Sequence, residues 1–327
     1  MNNDAFIGTC GFSGSKNSYF QRFRVTEIQD TFYSLPRIST VGRWRKQAPE
    51  SFVFTVKAWQ GITHPSTSPT WRRSRMPKSS NLERYGDFKP TTEVFSAWDA
   101  VRAVCRELEA KFVVCQSPQS FEPSFQNEAN LENFFESIAR DGLMIGWEPR
   151  GKWLADPKRL ERLLSKLNLV HVVDPFWDKP CSDYPLFYFR LHGLGKRLYY
   201  YQFSDEELRK LGETAHSFEK KNQEVYVLFN NLAMFEDGTR FRHYLSSGVF
   251  PRLSESVGLE SVRNVVEKTR YPASKSMLIE RIGWKLIQLD RQRQAKLETI
   301  LANLPPETYK SADELIQKIK SVKELAD

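Results

Sequence analysis

The sequence predicts an α/β protein, an irregular (β/α)8 barrel followed by a small C-terminal α-helical module. Three observations lead there. Eight short apolar runs fall within the first 230 residues, eight being the number that closes a parallel barrel. Most of them are followed by a segment of helical period, and strands alternating with helices make a parallel sheet. From Pro251 onward that alternation stops.

Taken in order, the predicted strands are 5–9, 23–28, 52–57, 111–116, 143–148, 169–174, 186–192 and 224–230. Each is a run of four to eight residues rich in β-branched and aromatic side chains. The predicted helices are 39–48, 92–110, 128–140, 157–167, 205–221 and 239–246. Asp156 before Pro157 is an N-cap followed by proline at the first helical position, and Ser204 with Glu207 reads as a capping box. Segments 10–22 and 175–185 are rich in Gly, Ser, Pro or Asp and predict no helix, so at least two outer helices should be degenerate. An open doubly wound sheet is the competing topology, and no GxGxxG follows a strand to support it.

Beyond Pro251, helices are expected over 259–269, 276–293 and 295–304; Pro305-Pro306 breaks the run, and Ser311 caps a last helix through 319. The expected division is therefore a barrel domain of residues 1–250 and a module of residues 251–327. The module carries 14 Lys/Arg against 11 Asp/Glu, too balanced for a simple basic tail. Arg281, Lys285, Arg291, Arg293 and Lys296 still make a candidate basic face, although a charged outer face is the default for a surface helix.

With 327 residues, 40 % of them hydrophobic, the chain can bury a sizeable core. No run approaches the roughly 18–20 apolar residues of a membrane span, and MNNDAFIGT has no basic region leading into an apolar one, so no membrane is involved and the cytoplasm is the expected location. Cys10, Cys105, Cys115 and Cys181 form no CxxC pair and read as ordinary thiols; Cys10 and Cys115, near strand ends, are remote nucleophile candidates. The net charge of +8 and isoelectric point near 9.2 permit a polyanionic partner. Within 62–90, six cations (Arg72, Arg73, Arg75, Lys78, Arg84, Lys89) face two acids (Glu83, Asp87). A solvated loop would look the same.

In a parallel barrel the working residues lie where the strands end. Those ends offer Glu27, Lys57, Gln116, Glu148 with Arg150, Asp174, Arg190 with His192, and Asn230 with Asn231. Salt-bridged layers inside barrels give single instances of this pattern, but a polar group after nearly every strand points to a site.

The segments IGTCGF (7–12), TEIQDTFYSLP (26–36), FVFTVK with ITH (52–57, 62–64), VVCQSPQSF (113–121), WEPRGKW (147–153), FRLHG (189–193) and VYVLFNN (225–231) resemble, in order, the domain-of-unknown-function-72 family. The resemblance covers about residues 5–250 and implies a TIM-type barrel; it transfers no settled activity. The loop after Gly11 is shorter than the family pattern, and WEPRGKW replaces its usual Phe-Arg-His-Pro-type sequence. Residues 271–319 are similar to a second small helical family, domain of unknown function 2795.

Two chemistries fit the strand ends. Glu27, Glu148, Asp174 and His192 would be the ligands of a divalent metal, but five histidines, with His171, His216 and His243 in structural settings, argue on composition against a multinuclear site, and neither metal nor cofactor is expected. The favoured reading makes Lys57 a nucleophile or base, Glu148 and Asp174 an acid/base pair assisted by Glu27, and Arg150, Arg190 and His192 the receivers of an anion. A Lys57 salt bridge to Glu27 or Glu148 is the structural alternative. Tyr33, His64, Arg72, Arg73, Arg75, Gln116, Tyr199, Asn230 and Asn231 complete the candidate binding set, aromatics interleaved with arginines being suited to bases and phosphates. The expected function is a metal-independent enzyme on nucleic acid, DNA before RNA, cleaving a base or strand at damage as a glycosylase/lyase or endonuclease. A sugar-phosphate isomerase or lyase and a non-catalytic nucleic-acid-binding protein are the alternatives. The sequence does not specify the oligomeric state.

Overall fold

The computed structural model describes residues 5–74, 81–181, 184–219 and 223–322. All eight expected strands are present: β1 (Phe6–Cys10), β2 (Val25–Ile28), β3 (Val53–Lys57), β4 (Phe112–Gln116), β5 (Met144–Glu148), β6 (Val170–Val173), β7 (Leu186–Leu191) and β8 (Glu224–Phe229). They pair in sequence order, and β8 returns parallel to β1 to close the barrel. Most strand residues are buried on both faces, the condition that makes a parallel strand read as a continuous apolar run.

Side chains alternate along each strand, so every second residue faces the barrel interior. Val25, Phe112, Val114, Val170, Val172, Leu186, Tyr188, Tyr226 and Leu228 form that interior. Its lower layers are aromatic: Phe6 stacks on Tyr226 at 4.6 Å, and Phe112 on Tyr188 at 4.4 Å. Gly146 makes room for them, since a Cβ there would come within 2.5 Å of both Phe112 and Val172.

The expected helices appear as α3 (Ile38–Gln47), α5 (Thr92–Leu108), α6 (Phe125–Ser137), α7 (Pro157–Lys166), α8 (Asp205–Glu219) and α9 (Met234–Ser247). The predicted caps are in place: Asp156 accepts from the Arg159 N–H, and Ser204 and Glu207 exchange side chain-to-backbone bonds. Three short helices, α1 (Lys16–Arg22), α2 (Asp30–Tyr33) and α4 (Gln60–Thr63), were not expected. Helix α1 occupies the segment read as helix-free. It has too few turns to show a period, and the buried Tyr19 anchors it, its hydroxyl bonded to the Thr9 N–H, the Thr9 hydroxyl and the Val25 carbonyl. Between 175 and 185 no described residue is helical. No helix among the described residues is long and apolar enough to cross a membrane.

Contacts divide the chain into two compact units. One runs to Leu191 and takes in Glu213–Asn230, so it holds all eight barrel strands. The other joins His192–Gly212 to the residues from Asn231 onward. In this second unit the C-terminal segment forms α10 (Gly258–Val266), β9 (Ala273–Ser274), α11 (Lys275–Ile282), β10 (Leu286–Gln288), β11 (Gln294–Lys296), α12 (Leu297–Ala302), β12 (Thr308–Tyr309) and α13 (Ala312–Ser321). Val262, Leu278, Ile287, Leu297, Leu301, Leu315 and Ile319 are part of its apolar core. The helix expected over 276–293 is a correction. It stops at Ile282, and the chain turns into the antiparallel pair β10–β11, around Asp290, whose carboxylate accepts from the Gln292 and Arg293 N–H groups at 2.8 and 2.7 Å.

Candidate active site at the barrel strand ends

The period of two that fills the barrel also builds the site. Two residues beyond core positions Val25, Thr55, Val114, Gly146 and Tyr188 stand Glu27, Lys57, Gln116, Glu148 and Arg190. Arg190 is fully buried at their centre. Its Nε and Nη2 donate to the two oxygens of Glu27 at 3.1 and 3.0 Å, and its Nη1 donates to Glu148 Oε2. Glu27 also accepts from the Tyr188 hydroxyl (2.9 Å) and from Gln29, while Tyr188 shares a 2.6 Å bond with Thr55. A guanidinium so committed holds two carboxylates in place. It was expected to receive a substrate anion, but in this geometry it is a positioning group.

Glu148 Oε1 accepts from Gln116 Nε2 at 3.0 Å and from Arg150. Gln116 in turn accepts from Lys57 Nζ at 2.7 Å. The order of these bonds fixes the amide: its NH2 must face the carboxylate, so its oxygen must face the lysine. An amide oxygen accepts from a neutral amine as well as from an ammonium, and it favours the ammonium less than a carboxylate partner would. Among the described residues Lys57 has no ion pair, and its Nζ lies 4.0 Å from the centre of the Phe32 ring. Burial first, and Arg190 second, lower its pKa to about 7 against the opposing pull of Glu148 and Glu27. The salt bridge weighed as the structural alternative is therefore not the arrangement adopted.

His64 is buried against Phe32, ring centres 4.9 Å apart, and its Nδ1 bonds the Thr63 hydroxyl at 2.7 Å. Burial, then Lys57 and Arg150, lower its pKa to about 3, so it is a neutral imidazole at working pH. Phe32 continues to Tyr33, and Arg73 both donates to the Tyr33 hydroxyl (2.8 Å) and lies over its ring (3.8 Å). Arg72 beside it is exposed; Arg75 and Lys78 lie outside the described residues.

Asp174 accepts from the Phe176 N–H in the turn after β6. Asn230 donates its N–H to Leu191. His192, Tyr199 and Asn231 belong to the second unit. There the His192 carbonyl accepts from the Tyr199 N–H, and Asn231 Nδ2 donates to the Tyr201 carbonyl and Asp237. The two remote cysteine candidates are thiols: burial, then Glu27, raises the pKa of Cys10 far above the usual range, and burial pushes Cys115 up to about 12. Thr55, Tyr188, Gln29 and Phe32 were not singled out from the sequence. The first two were legible as the inward residues two before Lys57 and Arg190; Gln29 and Phe32 lie within the segment TEIQDTFYSLP, but nothing in that segment marks them from its other residues.

Residues 16–247 match a family described as "Protein of unknown function DUF72". A curated relative, the UPF0759 protein YunF of Bacillus subtilis, is 22% identical over 240 residues, 65% of this chain and 79% of that protein. Among solved structures, a DUF72 family protein from Thermotoga maritima is similar with a TM-score of 0.56 at 24% identity, covering 74% of this chain and 99% of that one. One from Enterococcus faecalis has a TM-score of 0.56 at 21% identity, covering 75% and 96%. The matched residues end at 247, so the resemblance of 271–319 to a second family rests on sequence alone. Since the match runs over most of the chain and takes in all eight barrel strands but the first, this protein belongs to the DUF72 family.

Proposed function

We propose that the barrel is a lysine-dependent enzyme acting on nucleic acid, with Lys57 attacking an aldehyde carbon such as the opened sugar of a DNA abasic site. The observation that carries this reading is the environment of Lys57: a buried amine beside Arg190, bonded to a neutral amide rather than to a carboxylate. Such an amine keeps its lone pair near neutral pH. Attack forms the N–C bond and gives a carbinolamine. Loss of its oxygen as water leaves an iminium; removal of a proton from the adjacent carbon by a carboxylate of the site then forms a C=C bond as the β-phosphate leaves with the electrons of its C–O bond. Glu148 and Glu27 compensate the added cationic charge, while Arg73 at Tyr33 and the exposed Arg72 supply cations for phosphates. Damaged DNA fits the composition, with its isoelectric point near 9.2. A sugar-phosphate aldehyde offers the same carbon to Lys57, and the salt dependence of binding separates the two.

The test is incubation with labelled oligonucleotides bearing abasic and base lesions, in EDTA and in Mg²⁺, with borohydride present. A stable protein–DNA adduct with the wild type and none with Lys57→Ala is the expected result. Turnover without an adduct rules out the imine, and full activity in Lys57→Ala removes Lys57 from the chemistry.

A further inference from the structure

Directly after Lys57 and Ala58 come two residues that the network above does not use. Gln60 is fully buried, and neither its amide oxygen nor its amide nitrogen has a hydrogen-bond partner. The indole N–H of Trp59 is likewise buried and unpartnered. Three consecutive unmet polar atoms are unusual, because buried polar groups in folded proteins are almost always bonded. The contrast with Trp71 is sharp. It belongs to the same aromatic cluster, 6.1 Å from Trp59, and its indole N–H is satisfied by the carbonyls of His64 and Pro65 at 3.1 and 2.9 Å.

Placement ties Gln60 to the site. The His64 N–H donates to the Gln60 carbonyl at 2.8 Å, which joins the start of α4 to its C-cap. His64 packs against Phe32, the ring that Lys57 also lies over. Gln60 thus lies three residues beyond Lys57, in a short helix whose C-cap residue packs on the ring beside Lys57, and Trp59 packs with Trp71 and Tyr85.

We propose that Gln60 and Trp59 form a subsite that reads the edge of a single nucleobase; this rests on the nucleic-acid reading of the barrel. An amide presents a donor and an acceptor side by side in one plane, which is the pattern complementary to the donor–acceptor edge of a base. The indole N–H adds a donor for a ring nitrogen or carbonyl, and the aromatic cluster to which Trp59 belongs suits a flat ring freed from its stack.

The experiment compares two short fluorescent oligomers built from abasic spacers, one carrying a single central adenine, cytosine, guanine or thymine and one carrying none. Wild type is expected to bind a one-base oligomer roughly tenfold to a hundredfold more tightly than the all-spacer oligomer. Gln60→Met, which keeps length and volume, should remove that advantage and leave all-spacer binding and its salt slope unchanged. Trp59→Phe keeps the ring and deletes only the N–H, so it should reduce the advantage; it carries the test if Gln60→Met does not fold. An advantage that survives both substitutions, or is missing from wild type while the spacer oligomer binds, overturns the base subsite and leaves the nucleic-acid reading standing. If wild type binds neither oligomer, both fall together.

Discussion

Each unit of the protein buries an arginine between two carboxylates with a lysine nearby, and the two clusters do different things. In the barrel unit Arg190 holds Glu27 and Glu148, and Lys57 has its pKa lowered to about 7. In the second unit Arg240 holds Asp205 and Asp237, and Lys296 is lowered to about 8, in both cases with burial as the main cause. The second cluster bonds backbone. Arg240 donates to the Phe203 carbonyl, Asp237 accepts from the Phe203 N–H, Asn231 donates to the Tyr201 carbonyl, and Lys296 donates to the Gln202 carbonyl. It fixes the path of 201–205 against α9 and β11. The barrel cluster bonds side chains to side chains, so it orders groups at strand ends whose backbone the barrel already fixes. A buried ion cluster is thus no mark of a site by itself; what its members are bonded to decides.

The largest effect should come from removing the arginines. Arg190→Met should cost about 3–5 kcal/mol in urea unfolding, since it takes the arginine from two buried carboxylates, and Arg240→Met somewhat less, since Asp237 is buried and Asp205 partly exposed. Only Arg190→Met should shift the titration of Lys57, upward from about 7, because Arg190 lowers it and the carboxylates would be left to raise it. Carbon-13 lysine resonances followed against pH read this directly. An unmoved midpoint in Arg190→Met, or a moved one in Arg240→Met, would erase the distinction between the clusters.

A middling effect is expected at the lysines. The folded pKa of Lys57, about 7, lies below the ordinary 10.5, so between these values the unfolded chain binds more protons and stability should rise with pH. Below about 7 the full penalty applies. Lys57→Met should therefore be more stable than wild type at pH 6 by about 1–3 kcal/mol, after the lost bond to Gln116 and its unmet oxygen are subtracted, and should lose turnover. Wild-type kcat/KM on the lesion substrate should rise through pH 7 and then level. Lys296→Met loses the Gln202 bond and the Tyr201 ring 3.5 Å away, and should be no more stable than wild type. Thermal melts at pH 6 and pH 9 distinguish the pair.

How much of this was legible follows the same division. The barrel was readable because all its strands are buried on both faces, and a fully buried strand cannot avoid a run of β-branched and aromatic residues. The polar ends Glu27, Lys57, Gln116, Glu148 and Arg190 were readable because a charge closing such a run is conspicuous. Their bonding was not, because strand order says which residues share a layer and nothing of which guanidinium nitrogen meets which carboxylate. Arg190 therefore looked like an anion receiver. In the C-terminal segment, β10 and β11 have only three residues each, too few to show a period of two, and Ser276–Arg293 read as one helix. Gln60 carried no signal, since an unmet amide is visible only once every neighbour has been placed.

The smallest effect concerns where a polyanion would lie. Arg72 is exposed and, among the described residues, has no hydrogen-bond or ion-pair partner; Arg73 is held by Tyr33. In the segment proposed as a basic face of the second unit, Arg293 is paired with Asp290, Lys296 is bonded to the Gln202 carbonyl, Arg281 donates to the Arg270 carbonyl and Lys285 lies over the Trp284 ring, while Arg291 is exposed in the turn between β10 and β11. Counterion release makes the salt slope of binding a count of phosphate contacts, about 0.9 per contact on duplex DNA and about 0.7 on a single strand. Arg72→Ala should lower the slope by about one contact with no loss of stability. Arg73→Ala should lower it by a similar amount and also free the Tyr33 ring, so its effect on affinity should exceed its effect on slope. Arg291→Ala should leave both unchanged. The reverse outcome, a slope that falls with Arg291 and not with Arg72, would move the nucleic-acid surface from the barrel loop to the second unit and would leave Lys57 without cations placed to bring phosphates to it.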